Sequence, residues 1–277
     1  RTVYHVLFFR HAPRSLRLAS AFRCYTFSFI FAIVLFYKKQ LKVGNQMKNA
    51  TMRCECFFCP EGRFFLNKAV GLPCEESIVF EDEHIFVIPD IAPLVVGHFL
   101  IVAKKHYNSF GNADDSVYRS LTLAKDFLDN LVFRDVDFFL FEHGAVVEQT
   151  AGTCIDHAHM HALPFRGKEM DIENYLDQSG FITTIKVVAD RGTLSQYATQ
   201  KQPYIFYETR KGGKWAYPVG QLPHQFLRMM ITAFRPVKYN WKLQYQTAES
   251  KHLYNETLEY AANQCRKVNG EIHMSSS

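Results

Sequence analysis

No glycine-rich phosphate loop occurs in the 277 residues, neither GxGxxG nor a Walker-type motif. That excludes the usual dinucleotide-binding and P-loop readings. There is no internal repeat and no low-complexity stretch, so nothing points to a solenoid or a propeller. The apolar run from Cys24 to Tyr37, CYTFSFIFAIVLFY, has 14 residues, short of the roughly 20 that span a bilayer. Residues 1–46 carry eight Lys or Arg and no Asp or Glu. Subtracting these eight from the chain's net charge of +5 leaves −3 for residues 47–277, so the basicity belongs to this segment. A body of that charge lacks the electrostatic footprint of a nucleic-acid-binding protein.

Residues 1–46 are read as a basic and apolar tail outside the domain, ahead of a start at Met47 or Met52. A signal anchor is the alternative, but no small-residue cleavage site completes the run. The seven cysteines are an odd number, and Cys54, Cys56 and Cys59 fall within six residues. That crowding is closer to metal-ligand spacing than to a secreted disulfide framework. The body is expected to be cytoplasmic, with no membrane contact of its own.

What the chain does have is Asp156-His157-Ala158-His159-Met160-His161-Ala162-Leu163-Pro164. In a strand, alternate side chains share a face, which would align His157, His159 and His161 and turn Ala158, Met160 and Ala162 toward a core. In a helix, residues two apart diverge. Such a row suits two chemistries. Neutral imidazole is a nucleophile and proton carrier near pH 7, and it is also a zinc ligand.

The surrounding pattern is mixed. Glu75–Pro89 reads as two strands about a polar turn at Glu81-Asp82-Glu83, and Gly97–Ala103 as a third, with Asp90-Ile91-Ala92-Pro93 a loop between. Val117, Leu121, Ala124, Leu128 and Leu131 recur at helical spacing after Asn112 or Asp114 as N-cap. Val136–Phe141 is another strand, leading into Glu142-His143-Gly144. Beyond Pro164, Lys168–Gln178 reads as helical. Gly212-Gly213 separates the strands of a hairpin, a helix begins at Leu222-Pro223, and Glu249–Val268 forms a last helix. The order favours an α+β protein with a mainly antiparallel sheet of about five strands and flanking helices. The expected boundaries are 47–167 for a catalytic domain and 168–277 for a C-terminal α/β extension.

These residues resemble the histidine triad family of nucleotide hydrolases and transferases. CFFC, FEDEHIFVIPDIAPLVVGHFLIVAKKH, FEHG, AG-x4-H and the triad itself appear in the family's order, over about residues 54–165. FEHG before CIDHAHMH looks most like a splicing-factor-like subgroup. YIFYETRKGGKWAY and PHQFLR look like an extension seen in some bacterial members.

The resemblance implies a HIT-like fold and His159 as nucleophile at an α-phosphorus, through a nucleotidyl-histidine. His161 would hydrogen-bond the phosphoryl oxygens or pass a proton to the leaving group, and His98 would stand on the phosphate side. It implies substrate contacts from Glu142, His143, Thr153, Cys154 and Ile91, with Ile88 and Leu100 as further pocket candidates. The family commonly has Gln and then Ser or Thr where Thr153 and Cys154 stand, and a thiol is the weaker donor. A structural zinc on Cys56, Cys59, His106 and His157 is implied as well, and two Cys with two His make a closed tetrahedral set. The expected partner is a nucleotide and the expected assembly a homodimer; RNA is allowed by the resemblance but unsupported by charge. Arg228 and Gln225 are within reach of a phosphate, though the amphipathic pattern favours solvent-facing positions for them. The alternative function is a zinc-stabilised nucleotide- or RNA-binding module without turnover.

Overall fold

Among the described residues of the computed structural model, eight strands, numbered in chain order and given below, form one antiparallel sheet in the order β1-β2-β3-β5-β4-β7-β8-β6. The structure describes residues 56–275 apart from 61, 63–70, 72–73, 147–149, 154, 166–172, 175, 178, 183, 212 and 235–246. The tail at 1–46 and most of Lys168–Gln178 lie outside the described residues.

The first five strands are β1 (Phe80–Glu81), β2 (Ile85–Pro89), β3 (Phe99–Ala103), β4 (Phe138–Gly144) and β5 (His159–Pro164). The β1–β2 turn is tied by Asp82, whose carboxylate accepts from the backbone N–H groups of His84 at 2.9 Å and Ile85 at 2.8 Å. A short acidic side chain that bonds its own turn is why this polar triplet reverses the chain. Ahead of it, Cys74–Ser77 is a single helical turn and not strand, so the first strand is shorter than its apolar pattern suggested. IFVIP and FLIVA are apolar without alternation because both faces of β2 and β3 are covered.

Three strands from the extension, β6 (Val187–Val188), β7 (Tyr204–Thr209) and β8 (Lys214–Pro218), continue the same sheet. The seam is β4 against β7, from Phe139 opposite Thr209 to Gly144 opposite Tyr204. The hairpin expected around Gly212-Gly213 is the β7–β8 connection, closed by Thr209 N–H donating to Gly213 O at 2.9 Å.

The helices are α1 (Asp115–Phe127), α2 (Arg191–Thr199), α3 (Phe226–Phe234) and α4 (Ala248–Ser275). Asp114 occupies the N-cap of α1, and Asp190 caps α2 by accepting Thr193 N–H at 2.7 Å. Val117, Leu121 and Ala124 of α1 join Ile85, Val87, Phe99, Ile101, Met160 and Ala162 in the core on one face of the sheet. Phe226, Leu227, Met230 and Ile231 of α3 pack with Phe139, Phe141, Leu163, Ile205 and Tyr207 on the opposite face. Thr257 of α4 accepts Gly97 N–H at 3.1 Å, tying the last helix to the loop before β3. No described helix is long and apolar enough to cross a membrane.

Candidate functional site

Register decides which side chains meet. His161 stands opposite Leu100 of β3 and Phe141 of β4, and His159 opposite Val102. In an antiparallel sheet, directly opposed residues share a face. The triad therefore shares its face with the apolar group Phe58, Phe86, Ile88, Leu100 and Val102 and with α3. The strand begins only at His159; His157 stands two residues before it, in a bend.

His159 Nδ1 lies 2.6 Å from His157 O. A carbonyl can only accept, so Nδ1 carries the proton and Nε2 keeps its lone pair. Burial pushes its pKa down, which the His157 carbonyl and Asp90 oppose. The ring is thus a neutral base, 9% exposed and the most accessible of the three. Phe58 covers one side, its ring centroid 5.4 Å away. His161 stacks on Phe141 at 4.4 Å, and its Nδ1 is 2.9 Å from His98 Nε2. His98 Nδ1 accepts from Leu94 N–H at 3.1 Å.

His157 Nε2 donates to Ala103 O at 2.6 Å, which turns its Nδ1 toward a second cluster. That nitrogen is 3.3 Å from Cys56 Sγ, 3.7 Å from Cys59 Sγ and 3.3 Å from His106 Nδ1; Cys59 Sγ is 3.3 Å from His106 Nδ1. Zn–S of about 2.3 Å and Zn–N of about 2.0 Å at tetrahedral angles give S···N edges of about 3.5 Å and N···N edges of about 3.3 Å. The four donor atoms, all within 4.8 Å of one another, fit a tetrahedral ion.

The expected substrate contacts divide. Glu142 is not in the site. Phe141 faces the triad, so its neighbour Glu142 points through the sheet to the α1 side. There Glu142 accepts from Phe110 N–H at 2.6 Å and Tyr204 Oη–H at 2.9 Å. His143 is on the triad face, 6.5 Å from His161 between ring centroids, but its Nε2 accepts Leu227 N–H at 3.2 Å and so holds the start of α3. Thr153 is buried and its hydroxyl donates to Ile155 O at 2.9 Å. Ile91 is half-buried beside the group that includes Ile88 and Leu100. Cys154 lies outside the described residues.

The sequence pattern gives no role to Asp90 and favours a solvent-facing place for Arg228. Asp90 was taken as loop, yet its Oδ2 is 3.3 Å from His161 Nδ1 and 3.4 Å from His98 Nε2. Arg228, expected either within reach of a phosphate or, by the amphipathic pattern, facing solvent, is 6% exposed and its Nη1 is 2.7 Å from the same Oδ2. Its signal was its isolation: it is the one charge in the apolar helix FLRMMITAF.

The HIT domain model matches residues 73–168. An uncharacterised HIT-like protein of Methanocaldococcus jannaschii is 29% identical over 110 residues, covering 39% of this chain and 78% of that protein. The adenylylsulfatase HINT3 of Arabidopsis thaliana is 26% identical over 129 residues, 45% of this chain and 59% of that one. Among solved structures, a histidine triad protein from Clostridium difficile is 22% identical and covers 43% of this chain and 96% of its own, with a TM-score of 0.31. A yeast Ap4A phosphorylase is 17% identical over 70% and 78% of the two chains, with a TM-score of 0.39. The segment that matches the histidine triad (HIT) domain, residues 73–168, is the one that carries His159 and His161 on an antiparallel strand with His157 just before it.

Proposed function

We propose that this protein is a nucleotide hydrolase or nucleotidyltransferase acting at the α-phosphate through a covalent adduct on His159. The observation that carries the reading is the 2.6 Å contact between His159 Nδ1 and His157 O, which leaves Nε2 as the free nucleophile. His159 Nε2 attacks the α-phosphorus and forms an N–P bond as the P–O bond to the leaving group breaks, or the P–N bond in a phosphoramidate. His161, with Nδ1 turned to His98, offers Nε2–H to the departing oxygen. Water or an acceptor then attacks the adduct, releases the nucleotide and returns the proton. The adenylylsulfatase among the similar proteins acts on a nucleotide by its name, which favours this substrate class. Ile88, Ile91 and Leu100 are the proposed apolar wall for the nucleoside.

Cys56, Cys59, His106 and His157 would hold a structural zinc. Four protein ligands leave no coordination position for water, so the ion's contribution is to pin the CxxC segment against the triad strand. It also orients His157, whose carbonyl sets the tautomer of His159.

The test is intact-mass and peptide mass spectrometry after incubation with AMP-type phosphoramidates, dinucleoside polyphosphates and nucleotide sulfates. Expected is a nucleotidyl mass on the peptide containing His159 and a loss of turnover of at least about 10³-fold in His159→Ala, as for removal of a nucleophile. Nucleotide binding without any adduct, with turnover unchanged in the variant, would replace this reading by the zinc-stabilised binding module.

A further inference from the structure

The C-terminal extension contributes a charge to the triad, and its placement has a consequence for proton direction. Arg228 of α3 reaches Asp90 across 138 residues of sequence. Its Nη1 donates to Asp90 Oδ2 at 2.7 Å and its Nη2 donates to Ala92 O. The other carboxylate oxygen, Oδ1, accepts Ala92 N–H at 2.7 Å. Asp90 is thereby held from both sides, with Oδ2 3.3 Å from His161 Nδ1 and 3.4 Å from His98 Nε2.

An unclamped buried carboxylate at that distance would draw a proton onto the pair. The usual outcome is an imidazolium, or a histidine with Nδ1–H turned to the acid. Either state takes His161 Nδ1 away as the near acceptor of His98 Nε2–H and leaves it the more distant Asp90 Oδ2 at 3.4 Å. The backbone fixes the other end: Leu94 N–H donates to His98 Nδ1, so neutral His98 carries its proton on Nε2. At 2.9 Å that proton belongs to His161 Nδ1, and His161 then carries its own on Nε2.

We propose that Arg228 is a positioning residue of the triad site: by clamping Asp90 it fixes the direction of the His98–His161 pair, so that His161 presents Nε2–H to the leaving group. The site is then incomplete without α3. Burial pushes His98 down to about 3, Asp90 pulls the other way, and Arg228 adds to the downward push. Burial alone would raise Asp90, but Arg228, then His98 and His161, hold it well below the ordinary carboxylate range. The charged and titratable groups facing His161 are Asp90 from the loop after β2, His98 from the start of β3, His143 from β4, His159 from its own strand and Arg228 from α3. Only Arg228 among them is a fixed cation.

The inference rests on the proposed triad chemistry for its use, but its test needs no substrate. Nitrogen-15 spectra of the histidine rings in the full chain report each nitrogen's protonation. Expected at pH 7 is an unprotonated Nδ1 and a protonated Nε2 for His161. In Arg228→Met the Nδ1 signal moves to the protonated position. In Arg228→Lys it moves partly back, and in Asp90→Asn/Arg228→Met, which removes both charges, the wild-type pattern returns.

An unchanged His161 pattern in a folded Arg228→Met protein overturns the inference. If Arg228→Met fails to fold, the double variant decides, and its failure to fold as well makes Arg228 a packing residue and overturns the proposal. Absence of any nucleotidyl adduct alongside the expected nitrogen signals would instead fail the triad reading and leave the role of Arg228 standing.

Discussion

Replacing Glu142 by Gln separates a structural role from a catalytic one. Glu142 is fully enclosed on the α1 side of the sheet, and burial raises its carboxyl from 4.5 to about 7, against hydrogen bonds from Phe110 N–H and Tyr204 Oη–H and the attraction of Lys125. A folded-state value above the unfolded one means that the native protein binds more protons between those limits. Stability from this group is therefore fully present below about pH 4.5, falls as pH rises toward 7, and is flat above. At about 1.4 kcal/mol per pH unit over that interval, the loss is about 3 kcal/mol. Gln keeps an oxygen for Phe110 N–H, and Tyr204 can reverse its hydroxyl to accept from the new amide, so the variant keeps both bonds without a charge to bury. Urea unfolding of both proteins from pH 5 to pH 8 is the assay, read as the difference between them. The variant should gain on the wild type by about 3 kcal/mol across that range and keep nucleotide turnover. Parallel curves, or turnover lost with the fold intact, would refute the placement of Glu142 away from the triad.

Two further outcomes follow from the same geometry. Metal analysis of the purified protein should find about one zinc per chain; Cys59→Ser should lose it together with much of the thermal stability, whereas His161→Ala should keep it. Zinc that disappears with His161 would place the metal in the catalytic row. Gly144→Ala should destabilise by about 3 kcal/mol or more in urea titration, because its Cβ would fall 2.2 Å from Cζ of Tyr204, a ring held by Glu142 and Gly111 N–H; a change below about 0.5 kcal/mol would show that the ring can move aside.

What the sequence carried was mostly period and spacing. Three histidines at every second position pointed to a strand, and His159 and His161 are on one, because alternation is a property of the extended backbone itself. Cys56 and Cys59 were matched to His106 and His157 through the resemblance to the histidine triad family, since two thiols at CxxC spacing do not themselves name partners elsewhere in the chain. Parity across strands was not available in the same way. FEHG contains two residues for each face, and only the pairing of Phe141 with His161 shows that Phe141 and His143 face the triad while Glu142 and Gly144 do not. A slip of one residue would exchange them. His157 was read as part of the strand, yet it precedes it, since its ring nitrogen bonds Ala103 O and its Nδ1 turns to the cysteines.

The Asp90–Arg228 contact was the least legible, and the reason is general. It depends on β7 adding to the edge of β4, which brings the extension onto the same sheet, and then on α3 lying over the triad face. Neither step has a local signature, and amphipathic periodicity scores a single arginine in a helix as a surface residue. Burial reverses that inference. A guanidinium within an apolar helix and out of water is costly unless a carboxylate meets it, and a buried carboxylate has the same need. Read together, Asp90 in its loop and Arg228 in its helix each call for the other. A lone charge within a buried element therefore specifies a tertiary contact, and here that contact falls on the two histidines through which the proposed reaction would move its proton.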